Sequence, residues 1–330
     1  MENRMLKWGL LSTARINRAL IPPILASKRS QLAAVASRIQ EKAAAYASEW
    51  KIAKAYGSYE DLLKDPEIDV LYNSLPNHMH AEWTIRAAKA GKHVLCEKPI
   101  ALSVEDVDSI AYASRKAGVV VAEAFMYRHH PLTMKVKEFI SSGAIGEVLV
   151  VRGSFSYVLN REGDVRLDPA MGGGSLWDVG CYPVSYARYV SGKEPEQVFG
   201  WQVTGPSGVD EVFTGQLRFP GGSVAMFDCG FRLPGQVFME FVGTQGSIRV
   251  PSPYKPGKRE HFILTRNGES TKITVRSQEL YLGEVEDMEE AVLYGKTQRV
   301  SLEDSRNNTA VLTALLYSAK VGLPMQVESV

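Results

Sequence analysis

Short apolar runs alternate with helix-forming stretches over residues 1–125, and that alternation leaves the chain few folds to adopt. The runs are Leu6–Leu11, Leu32–Ser37, Val70–Leu75, His93–Cys96 and Val119–Phe125. Their apolar positions are consecutive rather than alternating, as in strands buried on both faces of a parallel sheet. The spacing between them predicts helices. One, Ile16–Ala26, follows the first run. Another, Ala81–Ala90, stops at Gly91, a natural C-cap. A third, Ser103–Ala117, opens on Ser103 with Asp106 three positions on, and closes at Gly118. This period predicts a doubly wound α/β sheet, a dinucleotide-binding Rossmann domain over 1–125.

Beyond Phe125 the pattern changes. After a helix over Met134–Ser142, most segments read as strands with turn punctuation: Gly146–Tyr157, Gln197–Thr204, Phe213–Phe219, Gly222–Cys229, Phe238–Gly243 and Gly246–Val250. Pro220-Gly221-Gly222 and Thr244-Gln245-Gly246 mark hairpin turns. Helices are predicted over Ser175–Val190 and Leu302–Val321. The expectation for 126–330 is an α+β domain: an open, mostly antiparallel sheet with helices on one face. The connection Leu159–Gly174 is long and carries charges and glycines, which points to function.

Composition narrows the partners. With 330 residues, 45% of them apolar, the chain can build two cores. Its net charge is +1 with both signs interspersed, so it offers neither a nucleic-acid footprint nor a basic membrane patch. The apolar runs are too short to span a bilayer. The N-terminus, Met1-Glu2-Asn3-Arg4, leads straight into a strand and lacks the apolar core of a signal peptide. Cys96, Cys181 and Cys229 have no metal-ligand spacing and read as reduced, buried thiols of a cytoplasmic protein.

The chemistry-bearing residues fall at strand ends. The turn after the first run is Ser12-Thr13-Ala14-Arg15-Ile16-Asn17, where a dinucleotide fold normally carries G-x-G-x-x-G. Ser12, Ala14 and Asn17 replace all three glycines. Ser12 and Ala14 are still small enough for a pyrophosphate to approach, and the helix start at Arg15 or Ile16 still offers N–H groups and a positive dipole end. The second run ends Ser37-Arg38, with no acidic residue to bind a ribose 2′-hydroxyl. A hydroxyl and a guanidinium fork suit a 2′-phosphate instead, which favours NADP, with NAD as the alternative. After the third run come Leu75, Pro76 and Asn77, with His78 and His80 close behind; Asn77 is placed to meet a ribose. No third ligand accompanies the two histidines, so no metal is expected. The fourth run ends Glu97-Lys98-Pro99, with Glu97 a candidate for the nicotinamide ribose. Farther on, Asp178 and Tyr182 stand four residues apart on one helix face. A lysine, a carboxylate and a phenol are equipment for moving a proton while a hydride moves.

The degenerate turn, Pro76-Asn77, Glu97-Lys98-Pro99 and Gly172-Gly173-Gly174-Ser175-Leu176-Trp177-Asp178-Val179-Gly180-Cys181-Tyr182 resemble the glucose–fructose oxidoreductase, inositol dehydrogenase and rhizopine-catabolism family over nearly the whole chain. Phe125-Met126-Tyr127-Arg128-His129-His130-Pro131 and the Ser37-Arg38 ending look most like its NADP-dependent xylose dehydrogenases and dimeric dihydrodiol dehydrogenases. Inositol dehydrogenases carry histidine where this chain has Tyr182. The resemblance implies a C-terminal domain that binds substrate and forms subunit contacts through its open sheet, as a homodimer or homotetramer. It also implies that the Lys98–Pro99 neighbourhood, often with a cis bond, faces the nicotinamide. Lys98, Asp178 and Tyr182 are then the catalytic candidates. Tyr182 is the acid/base, its phenolate favoured by Lys98, and Asp178 binds a substrate hydroxyl. Ser12, Thr13, Ala14, Arg15, Ile16, Ser37, Arg38, Leu75, Pro76, Asn77, His80, Glu97, Lys98 and Arg128 are candidates for the cofactor. Tyr127, Tyr157, Arg161 and Trp177 are candidates for the substrate, with Asp164 and Arg166 weaker ones.

The reading that results is an NADP-preferring oxidoreductase acting on a sugar or cyclic polyol, in its preferred form oxidising an aldopyranose at C1. Two alternatives stay open. One is a glycosidase or lyase that keeps NAD bound and oxidises its sugar transiently. The other is a non-catalytic sugar or nucleotide sensor of the same fold.

Overall fold

The computed structural model describes residues 4–161 and 163–328. Met1, Glu2 and Asn3, read above as leading into the first strand, lie outside the described residues, as does Glu162 of the long loop.

The first unit comprises the chain up to Phe125 together with Tyr281–Ser305. Its elements are β1 (Leu6–Leu10), α1 (Asn17–Ala26), β2 (Ser30–Ala36), α2 (Gln40–Trp50), β3 (Lys54–Tyr56), α3 (Tyr59–Lys64), β4 (Val70–Asn73), α4 (Asn77–Lys89), β5 (His93–Glu97), α5 (Val104–Ala117) and β6 (Val121–Ala124). All strands are parallel, in the order β3-β2-β1-β4-β5-β6. This is the Rossmann order, with its switch point between β1 and β4. The continuous apolar runs have the cause anticipated, since the sheet is covered on both faces. On one side Leu6, Trp8 and Leu10 pack with Leu20, Ile21 and Ile24 of α1. On the other Leu71, Val94 and Cys96 pack with Leu62, Trp83, Val107 and Ile110. The Ser103 cap forms as expected, its Oγ accepting the Asp106 N–H at 3.1 Å.

The second unit comprises Met126–Leu280 and the chain from Arg306 onward. It contains α6 (Pro131–Ser141), β7 (Val148–Val158), α7 (Cys181–Ser191), β8 (Gln197–Thr204), β9 (Asp210–Arg218), β10 (Val224–Gly230), β11 (Arg232–Gly243), β12 (Gly246–Val250), β13 (Arg259–Arg266) and β14 (Glu269–Arg276). After α8 (Leu282–Tyr294) in the first unit, α9 (Leu302–Val321) and β15 (Met325–Gln326) complete the chain's elements. The sheet order is β14-β13-β12-β11-β7-β10-β9-β8-β15, and only the β7–β10 pair is parallel among the described strands. Helices cover one face: a Cβ on Gly153 would press on Pro183 of α7, and one on Gly215 would approach Leu315 of α9. Among the described residues, no helix is long and apolar enough to cross a membrane.

The structure departs from the simple split at residue 125. Tyr281–Ser305 joins the first unit because α8 buries Val285 and Met288 against the sheet core beside α1. Burial of two such side chains stabilises the docking by about 1.5–3 kcal/mol each. Polar contacts fix the register. The buried Glu289 carboxylate accepts from Arg29 Nε at 2.9 Å and from Ser30 Oγ at 2.6 Å.

The helix predicted over Ser175–Val190 begins differently. Leu176–Gly180 forms a π-helical turn in which the Cys181 N–H reaches the Leu176 carbonyl, and only then does α7 start. Its entrance is pinned from β9. The Asp210 carboxylate, 4% exposed, accepts the Ser175 hydroxyl and the Leu176 N–H, each at 2.7 Å. Gly174, at φ +123°, brings the chain so close that a Cβ there would sit 2.3 Å from Asp210 Oδ1.

Burial raises the Asp210 carboxyl to about 6, with the two hydrogen bonds pulling the other way. An unfolded aspartate titrates near ~3.9, so between about pH 4 and 6 the folded chain holds a proton that the unfolded chain has lost. Stability from this group is therefore full below about pH 4 and declines as pH rises to about 6. The decline amounts to about 3 kcal/mol. Asp210→Asn should flatten the stability curve by roughly that amount over this window, read as the difference between the two proteins in urea titrations at stepped pH. Parallel curves would refute the assignment.

Candidate active site

In the first unit the candidate cofactor residues gather at the carboxyl edge of the sheet, where β1, β2, β4 and β5 end. The glycine-less turn is held by side chains instead. Asn17 Nδ2 donates to the Ser12 carbonyl at 2.7 Å, and Ser74 Oγ donates to Asn17 Oδ1 at 2.6 Å. Ser12 and Ser74 hydroxyls meet at 2.8 Å. Since the Ser74 proton is committed to Asn17, Ser12 donates in that pair. Ser12 Oγ also accepts the Ala14 N–H at 3.0 Å. A closed ring of hydroxyl and amide groups thus joins the turns after β1 and β4, the two strands of the switch point. Asn17, in the third glycine position, is a structural member of this ring.

His80 joins the next two segments. It is buried, with Nδ1 2.7 Å from the Pro99 carbonyl and Nε2 2.7 Å from the Leu75 carbonyl. Burial pushes the ring down to about 4, against the pull of both carbonyls. His80, a candidate cofactor contact, is thereby a buried support between Leu75-Pro76 and Lys98-Pro99. The Lys98–Pro99 bond is cis. Behind it, Ile100 N–H donates to buried Glu123 Oε1 at 2.9 Å. Tyr72 OH donates to Glu97 Oε1. Burial first, and then the neighbouring Glu97 charge, push the Tyr72 hydroxyl far up, so it stays a donor and aims the carboxylate. At the end of β2, Ser37 is buried and Arg38 is exposed. Arg38 lies beside Tyr59, where its charge opposes the upward push of burial on that phenol.

The turn fits a dinucleotide by size and charge. Small side chains stand at Ser12 and Ala14, Thr13 is half-buried and Arg15 is open to solvent, whereas the first N–H groups of α1, on Asn17, Arg18 and Ala19, already donate to the carbonyls of Ala14, Arg15 and Ile16. Beside them no carboxylate follows β2, only Ser37 and Arg38.

In the second unit, Asp178 sits in the π turn with its side chain 14% exposed. Its Oδ2 accepts from Tyr157 OH at 2.9 Å and from Arg166 Nε at 3.0 Å. Burial, followed by the Asp178 charge, pushes the Tyr157 hydroxyl strongly up, which keeps it a donor. Tyr182, one turn on in α7, stands among aromatic rings, with Phe155, Tyr254 and Tyr127 centroids at 5.2, 5.6 and 5.7 Å. Its hydroxyl lies 3.8 Å from Met126 Sδ.

The remaining candidates separate. Tyr127 is fully buried, stacks on Tyr186 at 5.3 Å and donates to Ser185 Oγ at 2.8 Å, so it supports Tyr182 from beneath. Arg128 donates to the same Ser185 at 3.2 Å and lies 3.9 Å from the Tyr189 ring centroid, a packing role within this unit. Trp177 is buried in the π turn, whereas Arg161 is exposed and only 4.0 Å from Asp164 Oδ2. Sequence reasoning gave Arg166 little weight and passed over Asp210. Arg166 reaches its partner across a loop, and Asp210 lies at the start of a strand whose periodicity suggests only packing. Cys96, Cys181 and Cys229 are all buried. Among the described residues no group of three histidine, cysteine or acidic side chains is arranged to hold a metal.

Comparison with known proteins identifies the family. Residues 6–125 match the oxidoreductase family with the NAD-binding Rossmann fold, and residues 133–249 match the GFO/IDH/MocA C-terminal domain. An NADP-dependent D-xylose 1-dehydrogenase of Haloferax volcanii is 36% identical over 97% of this chain and 99% of its own. A 3-ketoreductase of Actinomadura kijaniata, solved with NADP and TDP-benzene, superposes with a TM-score of 0.91 at 26% identity, covering 96% of this chain and 98% of that one. The aldose–aldose oxidoreductase of Caulobacter crescentus, complexed with glycerol, also gives 0.91, at 27% identity over 98% of this chain and 100% of that one. The chain belongs to the GFO/IDH/MocA family of oxidoreductases, and its Rossmann domain is an NAD(P)-binding one.

Proposed function

We propose that the protein transfers hydride between NADP(H) and a sugar or cyclic polyol, in its preferred form oxidising an aldopyranose at C1 to the lactone. The observation that carries this reading is Asp178. It is a nearly buried carboxylate with one oxygen fixed by Tyr157 and Arg166, one helical turn before a phenol in an apolar setting. Such an acceptor orients a hydroxyl-bearing substrate, and sugar-acting relatives support that substrate class. The bound dinucleotide supplies the hydride acceptor. Tyr182 takes the substrate hydroxyl proton, Lys98 favours its phenolate, and Glu97, aimed by Tyr72, holds the nicotinamide ribose. Tyr157, Trp177 and Arg161 contribute to the substrate side.

Preference for NADP rests on Ser37 and exposed Arg38 where NAD sites carry an acid. The cytoplasm, with its nicotinamide pools, is the proposed location. The outer face of the second sheet exposes Trp201 (63%), Val203 (52%) and Met226 (40%), with Phe199 and Phe238 beside them in a shallow hollow. We infer that a second copy covers this face, as a homodimer or a pair of dimers.

Four measurements test these assignments. With NADP and a panel of pentoses and hexoses, absorbance of the reduced nicotinamide should rise steadily; aglycone release without a rise would establish the glycosidase instead, and tight binding with neither would establish a sensor. Tyr182→Phe should lower kcat by about 10²–10⁴-fold, and Lys98→Met should also lower it and move its pH dependence. Arg38→Ala should raise the KM for NADP by roughly tenfold to a hundredfold and leave that for NAD nearly unchanged, reflecting about 1.5–3 kcal/mol for a charged hydrogen bond. Equal effects on both cofactors would remove the 2′-phosphate assignment. Finally, Trp201→Glu should shift the sedimentation coefficient toward that of a monomer, and an unchanged value would place the subunit contact elsewhere.

A further inference from the structure

The loop between β7 and the π turn is tied down at both ends of one residue. Arg166 lies in a short 3₁₀ turn over Val165–Leu167 that is capped by Asp164, whose Oδ1 accepts the Arg166 N–H at 3.0 Å. The Arg166 carbonyl accepts the Gly174 N–H at 2.9 Å. Gly173 allows that approach, because a Cβ on it would lie 2.5 Å from the same carbonyl oxygen. At the other end the guanidinium forks across two carboxylates. Nε donates to Asp178 Oδ2 at 3.0 Å and Nη1 to Asp164 Oδ1 at 3.1 Å. The two acidic side chains are 14% and 7% exposed, so neither charge is well hydrated. Within this unit Asp178 meets Tyr157 from β7 and Arg166 from the loop, with Asp164 on the far side of the guanidinium. Arg166 brings a cation to that group, and Tyr157 a neutral donor.

Resting on the sugar oxidoreductase reading above, we propose that Arg166 is a positioning residue for the reaction, holding Asp178 as an oriented carboxylate that accepts a substrate hydroxyl throughout turnover and leaves proton transfer to Tyr182. A carboxylate bonded on one oxygen to a guanidinium and a phenol is fixed in orientation and favoured in its charged form. It is therefore a steady acceptor and a poor proton carrier. The triple glycine before Asp178 also gains a use here: it lets the loop's own backbone close onto the site, so that Arg166 and Asp178 are set by one short, doubly anchored segment.

The test compares the full-length protein with Arg166→Met and Arg166→Lys. The first readout is carbon NMR of protein labelled at aspartate carboxyls, with Asp178→Asn identifying the Asp178 signal. In Arg166→Met that signal should titrate roughly one to three pH units higher than in the parent, and Arg166→Lys should restore much of the difference. The second readout is kcat/KM against pH. Arg166→Met should gain an acid limb, its loss relative to the parent growing toward about tenfold per pH unit below the shifted Asp178 titration, whereas a merely structural loss of the loop would lower activity by the same factor at every pH. An Asp178 titration unmoved by Arg166→Met overturns the proposal. So does a uniform loss of activity across pH. If the parent turns over no sugar at all, the oxidoreductase reading fails by itself, and the NMR titration still decides whether Arg166 governs Asp178.

Discussion

A carboxylate with 4% of its surface exposed, Asp210, sets where the chemistry of the second unit can be. It holds the Ser175 hydroxyl and the Leu176 N–H at the mouth of a π turn, so the segment carrying Asp178 and Tyr182 starts from a fixed point on β9. Buried acids of this kind are costly to ionise, and Asp210 is correspondingly raised. The cost is offset by two donors that would otherwise be orphaned at a helix start. The anchor on β9, the Tyr157 hydroxyl from β7 and the Arg166 strap all converge on the π turn, so two strands of the sheet and one loop together set the geometry around Asp178.

The first unit solves its own positioning problem with uncharged groups. Ser12, Ser74 and Asn17 exchange hydroxyl and amide bonds in a closed ring, and His80 spans the next two segments. Three strand-end turns of the sheet thereby form one connected layer. A glycine fingerprint gives the close approach that phosphates need through absence of side chains; here small polar side chains give it while also bonding to each other.

Much of this was legible in the sequence, and the reasons for the gaps are specific. The parallel strands could be read because burial on both faces forces consecutive apolar residues, and β8, β12 and α9 fall on their expected bounds. β14, Glu269-Ser270-Thr271-Lys272-Ile273-Thr274-Val275-Arg276, passed unnoticed because an edge strand exposed on most positions lacks an apolar signature. α8 was missed because its apolar face makes sense only against α1, more than 250 residues away in sequence. Lys98, Asp178 and Tyr182 were visible as residue types at a spacing. What holds Asp178 was not, since the Arg166 bond spans a loop whose path no periodicity encodes, and the π turn differs from an α-helix by a single bond that leaves no mark on composition.

The π turn has a consequence for how this segment can change over evolutionary time. Such a turn is an α-helix that has absorbed one extra residue. Removing one residue between Leu176 and Cys181 would restore a regular helix at little cost in backbone bonding. Because the wider turn takes up its extra residue without rotating the helix beyond it, the deletion would leave the Tyr182 ring in its aromatic setting and change which side chains the turn presents, taking Asp178 from its place beside Tyr157 and Arg166. The insertion therefore acts as a ratchet. Substitutions along α7 must keep its buried packing, and its length cannot drift by one residue without displacing the carboxylate that the turn presents.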